Sequence, residues 1–286
     1  MSIRQFQSII LNWYTKNGRH ALPWRKTRNS YRILVSEIML QQTQVDRVIR
    51  KYKEFLRAFP TPKALATASV QDLLKVWKGL GYNRRALNLQ RAAQKIVHDF
   101  KGVFPKSIAD IESLPGVGPY TARAVSAFAF NAPVAFIETN IRRIFIHFFF
   151  GNKKTVSDVD ILPMVQKALW EKDPHQWYSA LMDYGALAMK DINNPNRKSR
   201  HYTRQSRFEG SRRYARAKML DYIMTRKSAN LVLLHEYSLN DSFLEKYRSK
   251  ESIRGILSDL AREGFIEIED RKKTNTTNYK LKATSS

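Results

Sequence analysis

The stretch from Leu114 to Ala122 reads LPGVGPYTA. Pro115 fixes one backbone angle, and Gly116 and Gly118 permit a positive φ or the close approach of another backbone. The residues from Tyr120 onward favour the start of a helix. A turn with glycines at a helix start presents several unpaired amides in one direction, and a DNA phosphate is a natural occupant of such a site. A GxG turn alone is a weak signal, because most such turns bind nothing.

The charge of the chain strengthens this interpretation. Its 286 residues contain 50 Lys and Arg but only 25 Asp and Glu, which gives a formal net charge of +25. Such a composition favours a polyanionic partner, most commonly nucleic acid. The alternatives are a protein that is merely basic and one that binds an acidic membrane surface, but no segment combines a long apolar face with a basic one. We expect double-stranded DNA as the partner, no membrane binding, and a monomer.

The sequence contains no cysteine. This excludes disulfides, thiolate zinc sites, cysteine-ligated iron–sulfur clusters and a cysteine nucleophile, and we predict no metal site. Near the N-terminus, the apolar run Ile9–Leu11 is interrupted by Asn12, so it predicts neither a signal peptide nor a membrane span. We therefore expect an intracellular, cytoplasmic protein associated with the nucleoid.

Apolar residues recur at helical spacing through the first two-thirds of the chain, and no convincing strand pattern occurs before residue 230. The predicted helices are Ile3–Lys16, Tyr31–Phe59, one that begins at Ser69, Asn83–Phe100, Ser107–Leu114, Tyr120–Phe130, Asn140–Phe149, Asp158–Trp170 and Trp177–Lys190. Residues 191–210 are polar and basic, which indicates a linker or an extended segment.

The pattern changes beyond residue 210. Helices are predicted at Ser211–Thr225, Asp241–Tyr247 and Ser252–Glu263, and strands at Leu231–Leu234, Phe265–Ile268 and Asn278–Leu281, with a basic tip at Arg271–Thr277. Helices followed by a two-stranded ribbon with a basic tip are typical of a winged helix. Such a module could bind DNA or serve only for packing or partner binding.

Two carboxylates stand in apolar surroundings. Glu37 lies in LVSEIML and Glu138 in AFIETN. Each has a structural interpretation, Glu37 as an exposed first-turn residue and Glu138 as a helix cap. Their functional interpretation is a pair for acid-assisted cleavage of a glycosidic bond, in which one carboxyl protonates the leaving group and the other stabilises an oxocarbenium-like centre.

Other polar and aromatic residues suit contact with a duplex. Gln41 and Gln42 carry amides that can read base edges or fill a gap, although they could be ordinary helix surface. Tyr82, in GLGYNRR, precedes Arg84 and Arg85, and an aromatic side chain at a basic turn can wedge into a base stack. A packed surface tyrosine is the alternative.

Four motifs occur in order: SEIMLQQTQV (36–45), WKGLGYNRRALNLQRAA (77–93), LPGVGPYTA (114–122) and ETN (138–140). Together they resemble the helix-hairpin-helix (HhH-GPD) DNA glycosylase superfamily, and most of all its adenine DNA glycosylase (MutY-type) branch, over roughly residues 5–208. The resemblance implies an all-α, two-lobed helix-hairpin-helix glycosylase domain over residues 1–208, with the hairpin at about 107–130. A small α+β winged-helix-like C-terminal domain would follow over residues 209–286.

The resemblance also implies roles for individual residues. Glu37 matches the general acid, and Asn140 matches a polar partner of the catalytic water and carboxylate. Tyr120 occupies a position that is lysine in members that also cut the backbone, and tyrosine cannot form a Schiff base. The hairpin would clamp a DNA phosphate, often with a monovalent cation, while a base is flipped out. The predicted DNA contacts are Gln41, Gln42, Tyr82, Arg84, Arg85, Gly116, Val117, Gly118, Thr121, Arg142, Lys272 and Lys273.

The chain departs from that family at three places. Glu138 replaces the family's catalytic aspartate and is longer by one methylene. The four cysteines of the family's iron–sulfur cluster would fall at Met189, Asn196, Ser199 and Gln205. The C-terminal third does not have the pattern of the domain that reads oxidised guanine.

We therefore predict a monofunctional DNA glycosylase of base excision repair, without lyase activity, that removes a mispaired or damaged base. Adenine is the leading substrate. A mismatch-specific thymine or uracil glycosylase is the alternative among enzymes. A non-catalytic DNA-binding or lesion-sensing protein is the alternative from another class.

Overall fold

The structure is a computed structural model, and it describes residues 1–203, 206–271 and 276–283. The helices are α1 (Ile3–Asn17), α2 (Ser30–Leu40), α3 (Val45–Ala58), α4 (Pro62–Ala66), α5 (Val70–Trp77), α6 (Arg84–His98), α7 (Ile108–Glu112), α8 (Pro119–Phe130), α9 (Thr139–Phe149), α10 (Asp158–Lys167), α11 (Pro174–Asp183), α12 (Arg212–Arg226), α13 (Leu231–Leu239) and α14 (Lys250–Glu263). The strands are β1 (Ser228–Asn230), β2 (Ile266–Arg271) and β3 (Thr276–Leu281). Short 3₁₀ helices lie at Pro23–Lys26, Pro195–Lys198 and Ser242–Tyr247, and a π-helical turn at Tyr184–Ala188. The predicted fold class, a helical domain followed by a small α+β domain, is confirmed.

The chain divides into two units, each assembled from two separate segments. Unit 1 comprises residues 1–42 and 103–204, and unit 2 comprises residues 43–102 and 205–286. The sequence pattern placed a domain boundary near residue 208, whereas the contacts join the C-terminal segment to residues 43–102.

Unit 1 is built around an aromatic cluster. Phe6 of α1 is fully buried and meets Phe145, Phe149 and Trp177 with ring centroids 5.3, 5.0 and 5.8 Å away. These edge-to-face contacts fix α1 against α9 and α11. The hairpin predicted at 107–130 is present as α7, a turn and α8, and α8 packs against α2.

Unit 2 joins helices α3–α6 to the C-terminal segment. Its sheet has the order β1-β3-β2, and all pairs are antiparallel, with Ala229 and Ile268 both opposite Tyr279. In the C-terminal segment, the elements follow in the order α12, β1, α13, α14, β2 and β3. Arg91 of α6 donates to the carbonyl of Glu263 at the end of α14, at 2.6 Å. Residues 43–102 and 205–286 therefore share contacts within one unit.

Two predicted elements are wrong. Leu231–Leu234 is the first turn of α13, where the side chain of Asn230 accepts the amide of Leu233 at 2.9 Å and caps the helix. A run of four apolar residues fits a strand and a buried helix equally well, and the cap decided the outcome.

The single helix predicted at Tyr31–Phe59 is two helices, α2 and α3. Gln41 leaves helical geometry, and Gln42 adopts a left-handed φ of 54°. Apolar residues occur on both sides of this break, so their spacing alone did not reveal it.

In the part of the chain that the structure describes, no helix is both long and apolar enough to cross a membrane.

Candidate active site

Glu37 sits in a helix that is buried on every side. Each residue of α2 from Ile33 to Met39 is buried, and Glu37 itself is 6% exposed. An ionised carboxylate in such surroundings loses its hydration, and this raises the pKa of Glu37 from 4.5 to about 7. The hydrogen bond from Tyr120 and the charge of Arg25 oppose the rise, whereas the charge of Glu138 adds to it. Near neutral pH, Glu37 therefore retains a proton that it can donate.

Tyr120 is hydrogen-bonded to Glu37 and interacts electrostatically with Glu138. It lies in the first turn of α8, and its hydroxyl donates to Oε2 of Glu37 at 3.2 Å. Burial and the charges of Glu37 and Glu138 raise the pKa of Tyr120 well above its usual value, so its hydroxyl stays protonated. The three residues form one electrostatically coupled group within unit 1.

Glu138 is the N-cap of α9. Its Oε1 accepts the backbone amides of Asn140 and Ile141 at 2.7 and 2.8 Å, and its Oε2 accepts the side-chain amide of Asn140 at 3.3 Å. Burial raises the pKa of Glu138, while these amides and the charge of Arg142 work against the rise. The capping role expected as the structural alternative is therefore present. It also fixes the carboxylate, because one oxygen is held by two backbone donors.

Phe136 lies two residues before Glu138 and packs beside Tyr120. Phe136 stacks on Tyr178 at a centroid distance of 3.8 Å and meets Tyr120 edge-on at 5.6 Å. The hydroxyl of Tyr178 donates to the carbonyl of Val134 at 2.7 Å, which holds the stack in place. These rings supply the apolar surroundings in which a carboxyl group stays protonated.

The hairpin turn has the form that the LPGVGPYTA motif predicts. Gly116 has a φ of +80°, which glycine adopts without strain, and Gly118 caps α8 in extended geometry. A Cβ added at Gly118 would meet nothing within 4 Å. Neither backbone conformation nor packing requires glycine at position 118, so the space beside it suits the close approach of an outside group.

Sequence reasoning missed two residues that hold this site together. Asp183, at the end of α11, is fully buried and is bound by Arg19 and by both terminal nitrogens of Arg25. Burial opposes ionisation of Asp183, but its bonds to Arg25 and Arg19 prevail and lower its pKa. The signal was available, because Asp183 is a lone carboxylate in the apolar run SALMDYGALA.

Gly185 is the second residue that was missed. It lies in the π-helical turn, and a Cβ there would come within 2.7 Å of the carbonyl oxygen of Asn140. Arg143 also donates to the carbonyl of Gly185 at 2.7 Å. Only glycine lets this turn approach the start of α9, where Glu138 and Asn140 are held.

Several residues predicted to touch DNA are engaged within the protein. Arg142 forms a two-pronged ion pair with Asp158 at 2.6 and 2.7 Å. Arg85 donates to Thr43 and to the carbonyls of Leu80 and Gly81, each at 3.0 Å. Both guanidinium groups therefore stabilise local structure.

The other predicted contacts divide into three groups. Gln41 donates to the hydroxyl of the buried Thr121 at 3.3 Å, and Val117 is 7% exposed in the hairpin. Gln42, Tyr82 and Arg84 are exposed, and Gln42 and Tyr82 both have a positive φ. Lys272 and Lys273 lie outside the described residues.

The residues at the expected cluster positions do not fit an iron–sulfur cluster. The sequence has no cysteine. Met189, Asn196 and Ser199 are buried, and the side chain of Asn196 donates to the carbonyl of Thr139 at 3.0 Å, while Gln205 lies outside the described residues. Among the described residues, no group of three or more His, Asp or Glu is placed to hold a metal ion. Packed protein fills this region, and no step proposed below depends on a cluster.

Comparison with known proteins identifies a family profile, curated relatives and a solved structure to which this chain is similar. Residues 35–166 match the profile of the "HhH-GPD superfamily base excision DNA repair protein". An adenine DNA glycosylase of Buchnera aphidicola subsp. Baizongia pistaciae is 37% identical over 195 residues, which are 65% of this chain and 54% of that protein. The solved structure of a thermostable thymine-DNA glycosylase is similar at a TM-score of 0.60 and 27% identity, over 68% of this chain and 91% of that one.

The chain spans about half the length of the first curated relatives that it matches. The match to an adenine DNA glycosylase of Mycolicibacterium smegmatis is more extensive, with 32% identity over 259 residues, 82% of this chain and 88% of that protein. A relative this similar, covered along most of its length, shows that the chain belongs to the HhH-GPD superfamily of base excision DNA repair proteins.

Proposed function

We propose that the protein is a monofunctional DNA glycosylase that flips a mispaired or damaged base, with adenine as the leading substrate, out of duplex DNA and hydrolyses its N-glycosidic bond. The observation that carries the proposal is the coupled group of Glu37, Tyr120 and Glu138 in an apolar setting. Adenine as the substrate is supported by the names of the curated relatives.

Glu37 is the proposed general acid. A glycosidic bond to adenine breaks more readily once a ring nitrogen is protonated, because the leaving group then departs neutral. A carboxyl group with a pKa of about 7 is half-protonated at neutral pH and is a strong enough acid to transfer that proton. The hydroxyl of Tyr120 on Oε2 orients the carboxyl toward the bound base.

Glu138 is the proposed electrostatic stabiliser. Departure of the base leaves positive charge on the sugar, and a fixed carboxylate nearby lowers the energy of that state. Oε1 is anchored by two backbone amides, while Oε2 accepts only the weaker bond from Asn140 among the described residues. Oε2 is therefore the oxygen proposed to face the sugar. Asn140 would hold the attacking water, which passes its proton to the Glu37 carboxylate left when the base was protonated.

The monofunctional character rests on Tyr120. A lyase step needs an amine that attacks the sugar and forms a Schiff base, and a tyrosine hydroxyl cannot do so. The proposed product is an abasic site in an otherwise intact strand.

The hairpin is the proposed clamp for the DNA backbone. Open space beside Gly118 and the amide-rich first turn of α8 suit a phosphate, and backbone carbonyls in the turn could hold a monovalent cation beside it. The net charge of +25 favours duplex DNA over neutral partners.

A second candidate is a glycosylase for thymine or uracil opposite guanine. The observation that favours it is the similarity to a solved thymine-DNA glycosylase at 27% identity. The residues described here suit either base, since both leave more easily when protonated or hydrogen-bonded.

The experiment is a panel of end-labelled duplexes that carry adenine opposite guanine, cytosine or 8-oxoguanine, or thymine or uracil opposite guanine. Each is incubated with the protein and then divided, and one half is treated with hot alkali. We expect strand cleavage after alkali alone, strongest for an adenine mispair, and none with Glu37→Gln.

Each other outcome has a definite meaning. Cleavage without alkali contradicts the monofunctional assignment. Cleavage only at thymine or uracil selects the second candidate. Tight binding with no excision across the panel supports a non-catalytic lesion sensor and contradicts the enzyme.

A further inference from the structure

The turn that carries Tyr82 is held in a strained shape. Tyr82 has a φ of +47°, a region that tyrosine rarely adopts, and Gly79 and Gly81 beside it also have positive φ. A non-glycine side chain in this region is strained and persists only where its surroundings enforce it. Such strain is common where a side chain must be presented to a ligand.

Residues of α5 and α6 hold the backbone of this turn. The indole of Trp77 donates to the carbonyl of Gly81 at 3.1 Å, and Arg85 donates to the same carbonyl at 3.0 Å. The guanidinium carbon of Arg85 also lies 5.5 Å from the centroid of the Tyr82 ring. These contacts fix the backbone of the turn and one approach to the ring.

The hydroxyl end of the ring is held from the C-terminal segment. Arg213, in the first turn of α12, donates from Nη1 to the hydroxyl of Tyr82, and its guanidinium carbon lies 5.5 Å from the ring centroid. Its other nitrogen, Nη2, donates to the carbonyl and hydroxyl of Ser206 at 2.8 and 3.2 Å. One guanidinium thus joins the proposed wedge, the segment that enters α12 and α12 itself, all within unit 2.

We propose that Arg213 is a positioning residue, which holds the ring of Tyr82 extended so that it can enter the base stack beside an extruded nucleotide. This inference rests on the proposed function and assigns to the C-terminal module a part in the extrusion step. Tyr82 is 36% exposed, and the bond to its hydroxyl restricts rotation of the ring about its side-chain bonds. An aromatic wedge acts by displacing a base, so a ring whose orientation is not fixed inserts into the base stack less often.

The chain supplies a matched control on the same helix. Arg226, in the last turn of α12, lies 5.4 Å from the ring centroid of Tyr222, which is the same kind of contact. Replacing either arginine with alanine removes one positive charge and one contact between arginine and tyrosine. Of these two arginines, Arg213 contacts Tyr82 and Arg226 contacts Tyr222.

The test uses the full-length protein and a duplex with 2-aminopurine beside the mispaired adenine. Fluorescence of 2-aminopurine reports unstacking, and single-turnover excision and the Kd for DNA are measured separately. For Arg213→Ala we expect the unstacking signal and the excision rate to fall about tenfold, while the Kd shifts no more than for Arg226→Ala. Arg226→Ala should leave unstacking and excision unchanged, and Arg213→Lys should recover part of the loss.

A double-mutant cycle makes the test independent of any loss of fold. Tyr82→Phe keeps the ring and deletes the acceptor of the Arg213 bond. We expect Tyr82→Phe to reproduce the effect of Arg213→Ala, and the pair together to lose no more than either alone. Additive losses overturn the proposal, as does excision by Arg213→Ala equal to or faster than that of the unchanged protein.

The inference and the proposed function can fail separately. Unstacking that depends on Arg213, without any excision, would leave the inference standing and remove the enzyme. Excision that is indifferent to Arg213 would do the reverse.

Discussion

Glu37 lowers the stability of the folded protein when its carboxyl group ionises. A carboxyl group that is 6% exposed and that keeps its proton near neutral pH is unfavourable whenever it must ionise. Its folded pKa of about 7 lies above the unfolded value of 4.5, so the stability that it contributes is complete below pH 4.5 and is lost as the pH rises through 7. A residue kept in spite of such a penalty is a candidate for chemistry rather than for packing.

Glu37→Gln should therefore stabilise the protein at alkaline pH. The amide has the same shape and never ionises, so the gain over the unchanged protein should be close to zero at pH 4.5 and reach up to about 3 kcal/mol at pH 8. The measurement is the free energy of unfolding by urea at the two pH values. As a control, Glu171→Gln changes an exposed residue and should alter the free energy of unfolding by no more than about 0.5 kcal/mol. An equal gain for Glu37→Gln at both pH values would contradict the burial argument.

In the hairpin, the backbone conformation requires one glycine, and the other is open to contact with a ligand. Gly116 needs its positive φ, whereas Gly118 has ordinary extended geometry and open space at its Cβ position. One glycine thus serves the turn, and the other serves whatever approaches it.

Alanine should lower the stability of the protein at position 116 and weaken DNA binding at position 118. Gly116→Ala should lower stability by about 1 kcal/mol or more, because alanine strains at positive φ. Gly118→Ala should stay within about 0.5 kcal/mol, since lower chain entropy offsets the poorer cap, yet it should weaken binding of duplex DNA about tenfold by blocking the phosphate. The measurements are thermal unfolding and fluorescence anisotropy with labelled duplex. If Gly118→Ala binds DNA normally, the hairpin is not the clamp.

At the level of elements, the sequence predicted those features that are determined by residues close together in the chain. The hairpin, the caps and most helices follow from apolar spacing, glycines and capping residues. The break at Gln41–Gln42 was not predictable, because α2 is buried on nearly every side and has no apolar phase whose interruption could be seen. The start of α13 was ambiguous, because four apolar residues carry no period, and Asn230 was not recognised as its cap.

At the level of the whole molecule, chain order and spatial grouping differ. The pattern of the C-terminal segment predicted a separate module beyond residue 208, but three contacts tie it to residues 43–102. Lys78 pairs with Asp221 at 2.6 Å, Arg91 donates to Glu263 at the same distance, and Arg213 bonds to Tyr82. Contacts between residues more than a hundred positions apart leave no local signal, so a single sequence could not reveal this grouping.

If the two segments of unit 2 unfold cooperatively, a destabilising substitution in one segment should also affect the other. Leu260 of α14 is 1% exposed, and Leu260→Ala should cost about 2–5 kcal/mol through lost packing. If residues 43–102 and 205–286 unfold together, hydrogen exchange should quicken in α6 as well as in α12 and α14, while α2 and α9 in unit 1 keep their protection. Unchanged exchange in α6 would mean that the C-terminal module folds by itself.

The carboxylates themselves were predictable, because a lone acid in an apolar run is visible in sequence. Their supports were not. The bond from Tyr120 to Glu37, the buried pairing of Asp183 with Arg25, and the close approach of Gly185 to Asn140 each join separate elements of unit 1. Sequence showed which residues to suspect, and only the packing of α2, α8, α9 and α11 showed how they are held.

The most direct measurement is the pH dependence of single-turnover base excision, with protein in saturating excess over a duplex that carries mispaired adenine. If protonated Glu37 delivers the proton, the rate should fall about tenfold per pH unit above about pH 7, and Glu37→Gln should show no excision at any pH. A rate that holds steady from pH 7 to pH 9, or measurable excision by Glu37→Gln, would contradict the account.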